Sequence, residues 1–211
     1  IKGVNQHHDF GALGAAFNMR AAERQLEILQ EMGCNAIRTA HNPPAPELLD
    51  LTDRMGLLVM DESFDVWERK KTPFDFHLIF PDWHEQDLCA LVRRDRNHPS
   101  VIMWSFGNEV GEQYTDKKGA ELAKRLSAII KEEDPTLPTT ASMNWAKPHM
   151  PFPASMDVIS LNYQGQGIRE EAIFEGSNRI GTKPLFPDFH KLHPDKVILS
   201  SETASSFSSR G

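Results

Sequence analysis

Residues 96–109 read RNHPSVIMWSFGNE, a short apolar run with polar residues at both ends. We predict that Ser100–Phe106 is a strand buried on both faces, as the strands of parallel sheets are. Gly107, Asn108 and Glu109 follow it and place an amide and a carboxylate at the rim of the sheet. Ionisable side chains at the ends of buried strands are typical of α/β enzymes.

Six further β-rich runs alternate with amphipathic helical patterns along the 211 residues. This alternation predicts βα units around a parallel sheet. The seven predicted strands are Ile1–Val4, Asn35–Thr39, Leu57–Asp61, Ser100–Phe106, Pro138–Ser142, Val158–Leu161 and Val197–Ser200.

The helices between these strands have sequence signals at their ends. Asn18 is a predicted N-cap of the first helix. The third helix is predicted to begin at Asp82, where Glu85 completes a capping box. Residues 164–195 are rich in glycine, proline and charge, which predicts a long loop with one short helix near residues 169–174.

Repeated βα units form either an open doubly wound sheet or a closed (β/α)8 barrel. The turn after the first strand has no G-x-G-x-x-G pattern, which disfavours a dinucleotide-binding sheet. A mouth lined from nearly every strand end is how a TIM barrel builds its site, so we predict an α/β chain with a (β/α)8 TIM barrel. The polar residues that follow the strands are His7, Asp9, Arg38, His41, Asp61, Glu62, Asn108, Glu109, Trp145, Asn162, Tyr163 and Glu202.

Composition excludes several classes of partner. The formal net charge of −7 argues against a nucleic-acid partner. No apolar run is long enough to span a membrane, and the start at Ile1 has no signal-peptide core. These features predict a soluble protein whose natural N-terminus is absent, and they leave cytoplasm and periplasm open. Cys34 and Cys89 lie in apolar segments and are predicted to be buried free thiols.

Two predicted strands end in a glutamate, one at Glu109 and one at Glu202. Carboxylates on different strands of one barrel can face each other across a bound ring. Cleavage of a glycosidic bond needs such a pair, one to protonate the leaving oxygen and one to attack or to activate water. Either glutamate taken alone would be read as a solvated residue at a strand end.

Five segments together resemble glycoside hydrolase family 2, and within it they look most like the β-galactosidases. They are GVNQH at residues 3–7, NAIRTAHN at 35–42, MDE at 60–62, NHPS to GNE at 97–109, and SE at 201–202. They occur in the family's order along the whole chain. The resemblance implies retention of configuration, with Glu109 as the acid/base after the fourth strand and Glu202 as the nucleophile after the seventh.

The resemblance also implies substrate-binding or orienting roles for residues around this pair. Arg38 would hold Glu202, Tyr163 would donate to it, and Asn108 would bind the sugar 2-hydroxyl. His7 and His41 match histidines that contact sugar hydroxyls. For each of these residues a structural role, such as an ion pair or a packed ring, is the alternative.

Further residues after the strands are candidates on weaker grounds. Asp65 could bind a hydroxyl and Trp67 could stack on a sugar face. Trp145 could form a platform for the aglycone, or simply be packed. Asp61 and Glu62 are interpreted mainly as residues that tie loops together beneath the site.

No metal or cofactor is expected. Some β-galactosidases carry a metal-binding Glu and His shortly after the third-strand Asp-Glu, whereas residues 63–69 here read SFDVWER, without a carboxylate-x-His pair. A metal-dependent amidohydrolase is disfavoured because it needs two histidines one residue apart, and His7 and His8 are adjacent.

The expected substrate is a small or oligosaccharide β-D-galactoside, hydrolysed from its terminal residue. β-Glucuronidase and β-mannosidase activities and an inactive glycan-binding fragment stay open as alternatives. Residues 1–211 are predicted to form one incomplete barrel domain that lacks the eighth βα unit, because a full barrel takes about 250 residues. The family's N-terminal β-sandwich domains are not found in it. We therefore expect a piece of a larger hydrolase, weakly active or inactive alone, whose partners are its remaining domains and possibly a second copy.

Overall fold

The computed structural model describes residues 1–115, 117–163 and 184–203. Its seven strands form one parallel sheet in which each strand is hydrogen bonded to the next in chain order. The strands are β1 Gly3–His7, β2 Ala36–Ala40, β3 Leu58–Glu62, β4 Val101–Asn108, β5 Thr139–Met143, β6 Ile159–Asn162 and β7 Ile198–Glu202.

Helices connect successive strands, as the sequence predicts. The α-helices are α1 Met19–Glu31, α2 Pro46–Met55, α3 Phe80–Asp95, α4 Lys117–Glu133, α5 Pro151–Ala154 and α6 Phe186–Leu192, with 3₁₀ helices at Phe76–Leu78 and Gly111–Tyr114. Cα atoms of β1 and β7 come within 8 Å of each other, so the sheet curves round on itself. This is the strand order of the first seven units of a (β/α)8 barrel, and the predicted fold class is confirmed.

The predicted helix ends are partly right. The Asn18 side chain accepts from the backbone N–H of Ala21 at 3.0 Å and caps α1 as predicted. The capping box at Asp82 is wrong, because α3 begins two residues earlier at Phe80 and has no side-chain cap. Pro81 suits the first turn of a helix, and the buried ring of Phe80 anchors that turn in the core.

Two other expectations concern the weakly patterned part of the chain. Helix α6 lies in the stretch predicted to be mostly loop, and Phe189 on it is fully buried. The short helix predicted near residues 169–174 lies outside the described residues. Both cysteines are free, as predicted, but they are half-buried and not buried. None of the helices in the described ranges is long and apolar enough to cross a membrane.

A cluster of aromatic rings packs beneath the carboxyl end of β4. Trp67 is 0% exposed; its ring stacks on Phe106 at a centroid distance of 5.8 Å and contacts Phe152 at 6.0 Å. Its Nε1 donates to the Phe106 carbonyl at 2.7 Å. A Cβ on Gly107 would stand only 2.9 Å from Trp67 Cζ2. Glycine therefore allows β4 to pass over the indole just before its polar end.

We expect Gly107→Ala to lower the free energy of unfolding by about 1–3 kcal/mol, because the added methyl group overpacks a rigid buried ring. Denaturant titration measures this change. The same substitution should cost less in a Trp67→Phe background, where the smaller ring leaves room. Equal costs in the two backgrounds would show that the indole contact is not the cause.

Candidate active site

Polar side chains from five strands meet at the carboxyl ends of the sheet. Arg38 lies on β2, Glu62 on β3, Asn108 on β4, Asn162 on β6 and Glu202 on β7. Hydrogen bonds join all five into one network. The site therefore depends on the order of the strands as much as on any single motif.

Arg38 lies between two carboxylates. Its Nη1 donates to Glu202 Oε1 at 2.9 Å, and its Nε and Nη2 donate to Glu62 Oε2 at 2.9 and 2.7 Å. The side chains of Arg38 and Glu62 are 4% and 0% exposed, so water screens their ion pair little. The planar guanidinium fixes the orientation of Glu202 against the floor of the site.

Glu62 is the shared acceptor of the network. Besides Arg38, it accepts from Ser105 Oγ at 2.5 Å, and His41 Nδ1 lies 2.7 Å from its Oε1. Burial alone would raise the pKa of Glu62, but Arg38, His41 and Ser105 outweigh it and hold the pKa below the ordinary value. Because an ionised carboxylate can only accept, Nδ1 is the protonated nitrogen of His41. The ring's Nε2 then faces Glu202 Oε1 at 3.5 Å.

The two asparagines hold each other's amides in one orientation. Asn108 Oδ1 accepts from Arg38 Nη2 at 3.0 Å and from Asn162 Nδ2 at 3.2 Å. Its Nδ2 donates to Asp65 Oδ1 at 3.1 Å. Since the acceptor side of Asn108 is already used, its donor side is the one directed towards the Asp65 side of the mouth.

Glu109 has a different environment from Glu202. The hydrogen-bond partner of its carboxyl among the described residues is Asn162, whose Nδ2 donates to Oε1 at 2.9 Å. Burial raises the pKa of Glu109; the Asn162 hydrogen bond opposes this, and the charge of Glu202 adds to the rise. Its backbone has φ +45°, and its N–H donates to the Ser142 carbonyl at 2.8 Å. The site thus pairs a guanidinium-bound carboxylate with a carboxyl whose pKa is raised by burial.

A cavity of about 730 Å³ opens beside this network. His7, His41 and Asp65 line it, together with the segment that follows β3. The rings of His7 and His41 meet edge to face with centroids 5.1 Å apart. The volume lies in the range of small-molecule sites. The two histidines and the aspartate predicted to contact a sugar therefore border one open space.

The remaining predicted residues divide into those at the mouth and one in the core. Tyr163 follows β6 with φ +55°, is 39% exposed, and its N–H donates to the Glu202 carbonyl at 2.9 Å. Trp145 follows β5 and is 41% exposed. The proposed sugar stacking by Trp67 is wrong for this structure, because its ring is wholly buried against Phe106. Trp67 supports the site from below instead.

Lys71 is a site residue that sequence reasoning missed. Its Nζ donates to Asp65 Oδ1 at 2.7 Å and to the Asn108 carbonyl at 2.8 Å. It lies in the charged run ERKK at residues 68–71, which is typical of a solvated loop. No local signal separates this lysine from its charged neighbours; only the folded loop brings it to the mouth.

Asp61 and Glu62 are adjacent on β3 and point to opposite faces, as strand geometry requires. Asp61 is 0% exposed, accepts from Thr39 Oγ1 at 3.3 Å, and has no donor for its Oδ2 among the described residues. Burial and the neighbouring Asp95 carboxylate hold the pKa of Asp61 well above its ordinary value. Asp61 therefore belongs to the buried layer between strands and helices, and Glu62 alone belongs to the site.

Comparison with known proteins explains this arrangement. Residues 1–187 match the TIM barrel domain of the glycosyl hydrolases of family 2. The chain belongs to glycoside hydrolase family 2. It is 43% identical over its whole length to the β-galactosidase BoGH2A of Bacteroides ovatus, and 36% identical over 76% of its length to the human β-glucuronidase.

A solved family 2 structure from Bacteroides cellulosilyticus superposes on 96% of the chain with a TM-score of 0.82 and 38% identity. The chain spans about a quarter of each relative: 26% of BoGH2A, 24% of the human enzyme and 24% of the solved chain. Family 2 members are glycoside hydrolases, which agrees with the paired glutamates at the ends of β4 and β7.

Some family 2 β-galactosidases bind a metal through a Glu and a His shortly after the third strand. Residues 63–69, which follow β3 here, contain no such pair. Within the described ranges, no three His, Cys, Asp or Glu side chains are grouped so that they could hold a metal ion. That catalysis needs no metal stays a prediction.

Proposed function

We propose that this chain is the catalytic barrel of a retaining exo-β-galactosidase. The observation that carries the proposal is the contrast between Glu202, bound by the Arg38 guanidinium, and Glu109, which contacts no cation among its hydrogen-bond partners in the part of the chain that the structure describes and whose pKa is raised by burial. A double displacement needs one ionised and one protonated carboxyl at the same pH.

In the first step, Glu109 gives its proton to the glycosidic oxygen while Glu202 attacks the anomeric carbon. The bond to the leaving group breaks and a glycosyl ester forms on Glu202. Esterification removes the negative charge of Glu202, which had helped to raise the pKa of Glu109. Glu109 then ionises more readily and takes a proton from the water that hydrolyses the ester. Glu202 is released with its charge restored.

The surrounding network holds the sugar and the nucleophile. Asn108, with its oxygen already bonded to Arg38 and one amide hydrogen to Asp65, presents its second amide hydrogen to the 2-hydroxyl, a contact that strengthens as charge develops on the ring. His41, held through Nδ1 by Glu62, presents its Nε2 to a second hydroxyl. His7, Asp65 and Tyr163 border the remaining sides of the ring.

The charges of the site favour a substrate whose sugar carries no charge. A glucuronidase needs an uncompensated cation for the sugar carboxylate. Among the described residues that surround the sugar site, Arg38 is paired with Glu62 and Glu202, and Lys71 with Asp65, while Lys147 lies on the Trp145 side. β-Glucuronidase is the second candidate, because relatives of that name from human and Bacteroides fragilis are 36% and 35% identical. No contact of the described residues favours a β-mannosidase.

The decisive experiment is inactivation by a 2-deoxy-2-fluoro β-galactoside with an activated leaving group, followed by mass spectrometry of the peptides. We expect one label, on Glu202, and none in Glu202→Gln. The matching 2-fluoro glucuronide is the control and should label far more slowly. Labelling on another residue would refute Glu202 as the nucleophile. Turnover of the glucuronide alone would refute galactose as the sugar that the site recognises.

The alkaline limb of activity should report Glu109. Because its pKa is raised, the proton needed for the first step persists above the ordinary glutamate value of 4.5 and is lost at higher pH. We therefore expect kcat/KM to fall as pH rises through this raised pKa. In Glu109→Ala, assayed with a dinitrophenyl glycoside, the limb should be absent; an unchanged limb would assign it to another group.

A matched pair of isosteric variants separates the two adjacent carboxyls of β3. Glu62→Gln removes a buried charge from Arg38, so we expect a loss of about 3–5 kcal/mol in the free energy of unfolding and reduced activity. Asp61→Asn keeps the acceptor for Thr39 and puts an amide donor where the acid carried its proton. Near pH 4, where ionisation of Asp61 in the unfolded chain still contributes little, we expect Asp61→Asn to change stability by less than about 1 kcal/mol.

The pH dependence of this pair gives a second readout. Asp61 ionises in the unfolded chain near pH 3.9 but at a higher pH in the fold, so the unfolded state binds fewer protons between the two values. Native stability then falls with rising pH through that window. Asp61→Asn has no carboxyl to ionise and should not show this fall. Comparable losses in Asp61→Asn and Glu62→Gln would show that the two carboxyls are not distinguished as described.

A further inference from the structure

Two exposed aromatic side chains lie against each other at the mouth of the barrel. Tyr114 is 47% and Trp145 is 41% exposed. Their ring centroids are 4.6 Å apart, and the rings are tilted by 48°. Two large rings held together at the surface offer an apolar face on which a ligand can pack.

This pair lies on the Glu109 side of the site. The Glu109 N–H donates to the carbonyl of Ser142 on β5 at 2.8 Å, so these two positions are neighbours. Tyr114 follows Glu109 by five residues in the 3₁₀ helix Gly111–Tyr114, and Trp145 follows Ser142 by three. The aromatic pair therefore belongs to the two loops next to the acid/base.

A buried amide fixes the two loops to each other. Gln113 is 0% exposed, and its Oε1 accepts from the N–H groups of Trp145 and Ala146 at 2.9 and 3.1 Å. Its Nε2 donates to Asn144 Oδ1 at 2.8 Å. Every polar atom of the Gln113 side chain thus acts on the loop that carries Trp145, which holds that ring in place before any ligand arrives.

Polar groups lie next to the rings. The Asn144 amide oxygen is used by Gln113, which leaves its nitrogen as a donor. Lys147 Nζ lies 5.9 Å from the centroid of the Trp145 ring. A pyranose ring combines an apolar C–H face, which stacks on aromatic rings, with hydroxyls that accept from amide and ammonium donors. A simple alkyl aglycone could pack on the rings but would leave the polar groups unused.

We propose that Tyr114, Trp145, Asn144 and Lys147 form a leaving-group subsite for a hexopyranose, so that the natural substrate is an oligosaccharide. The inference rests on the proposed function, because Glu109 protonates the leaving oxygen and the leaving group must therefore lie on its side. In the Michaelis complex the second sugar stacks on the two rings, and it departs as the free sugar after it receives the proton of Glu109.

The test compares two substrates in the full-length form of the protein, a β-galactosyl disaccharide and β-galactosyl fluoride. Fluoride has no ring to stack. Trp145→Ala should lower kcat/KM for the disaccharide by about 10-fold and leave that for the fluoride unchanged. Tyr114→Ala should do the same to a smaller extent, and Trp145→Phe should restore most of the loss. Trp83→Ala is the matched control, because this tryptophan on α3 is 49% exposed and outside the subsite.

Each outcome of this comparison supports or overturns the leaving-group subsite. A loss for the disaccharide alone supports the subsite. Equal losses for both substrates would show that Trp145 merely supports the fold, and no loss for either would show that it contacts no sugar; both overturn the subsite and leave the proposed function intact. A wild-type protein that releases fluoride from neither the galactosyl nor the glucuronyl compound would overturn the proposed function, and the subsite with it.

Discussion

Glu202→Gln is expected to lower kcat/KM for every glycoside by on the order of 10⁴-fold or more. An amide at this position cannot form the glycosyl ester, whatever the leaving group. The fold should persist, because the glutamine oxygen can still accept from Arg38 Nη1, which now donates to Glu202 at 2.9 Å. Steady-state rates with a nitrophenyl glycoside and with a glycosyl fluoride measure the effect.

Glu31→Gln is a suitable control for this variant. Glu31 is on the outside of the barrel, where its side chain is 67% exposed and pairs with Arg24 at 3.2 Å. An exposed ion pair of this kind contributes little to stability, so activity should be unchanged. Near-native turnover in Glu202→Gln would remove Glu202 as the nucleophile.

Glu109→Ala is expected to divide substrates by their leaving groups. For sugars and alkyl groups, loss of the general acid should lower kcat/KM by about 10²–10⁴-fold. A dinitrophenolate leaves without a proton, so the glycosylation step should survive and the glycosyl ester on Glu202 should accumulate. A burst of dinitrophenolate followed by a slow steady state, resolved by stopped flow, is the expected record.

Rescue of Glu109→Ala by azide is a second test of the acid/base role. Azide needs no general base, and the cavity left by the carboxyl admits it, so azide should accelerate turnover of the dinitrophenyl glycoside. The product should be the β-glycosyl azide, identified by proton NMR. If azide has no effect and all leaving groups lose activity equally, Glu109 is not the acid/base.

The sequence predicts the strands and the two catalytic candidates because these signals are local. A buried run that ends in a glutamate is visible without knowledge of its neighbours. The role of Glu62 is not visible in this way, because strand alternation places one of Asp61 and Glu62 inside and leaves open which one. Only the pairing of β3 with β2 and β4 decides it.

The positions of Trp67 and Lys71 could not be predicted for the same reason: they depend on contacts with distant parts of the chain. Trp67 comes soon after a strand end, as Trp145 does, and both are large aromatics in loops. One is covered by Phe106 and Phe152 and the other is left at the surface, a difference that depends on residues 39 or more positions away. Lys71 reaches Asp65 and the Asn108 carbonyl through the path of its loop, which no charge pattern predicts.

The backbone of the site sets a limit on how stable this barrel can become. Among the described residues, those other than glycine with positive φ are Glu109 and Tyr163, and both border the cleavage site. Such a conformation costs on the order of 1–3 kcal/mol, which the rest of the fold must offset. Glu109→Gly would relieve that cost and remove the proposed acid/base in the same step. A library of variants selected only for heat resistance would therefore be enriched in inactive proteins, and any search for a thermostable form has to select for turnover as well.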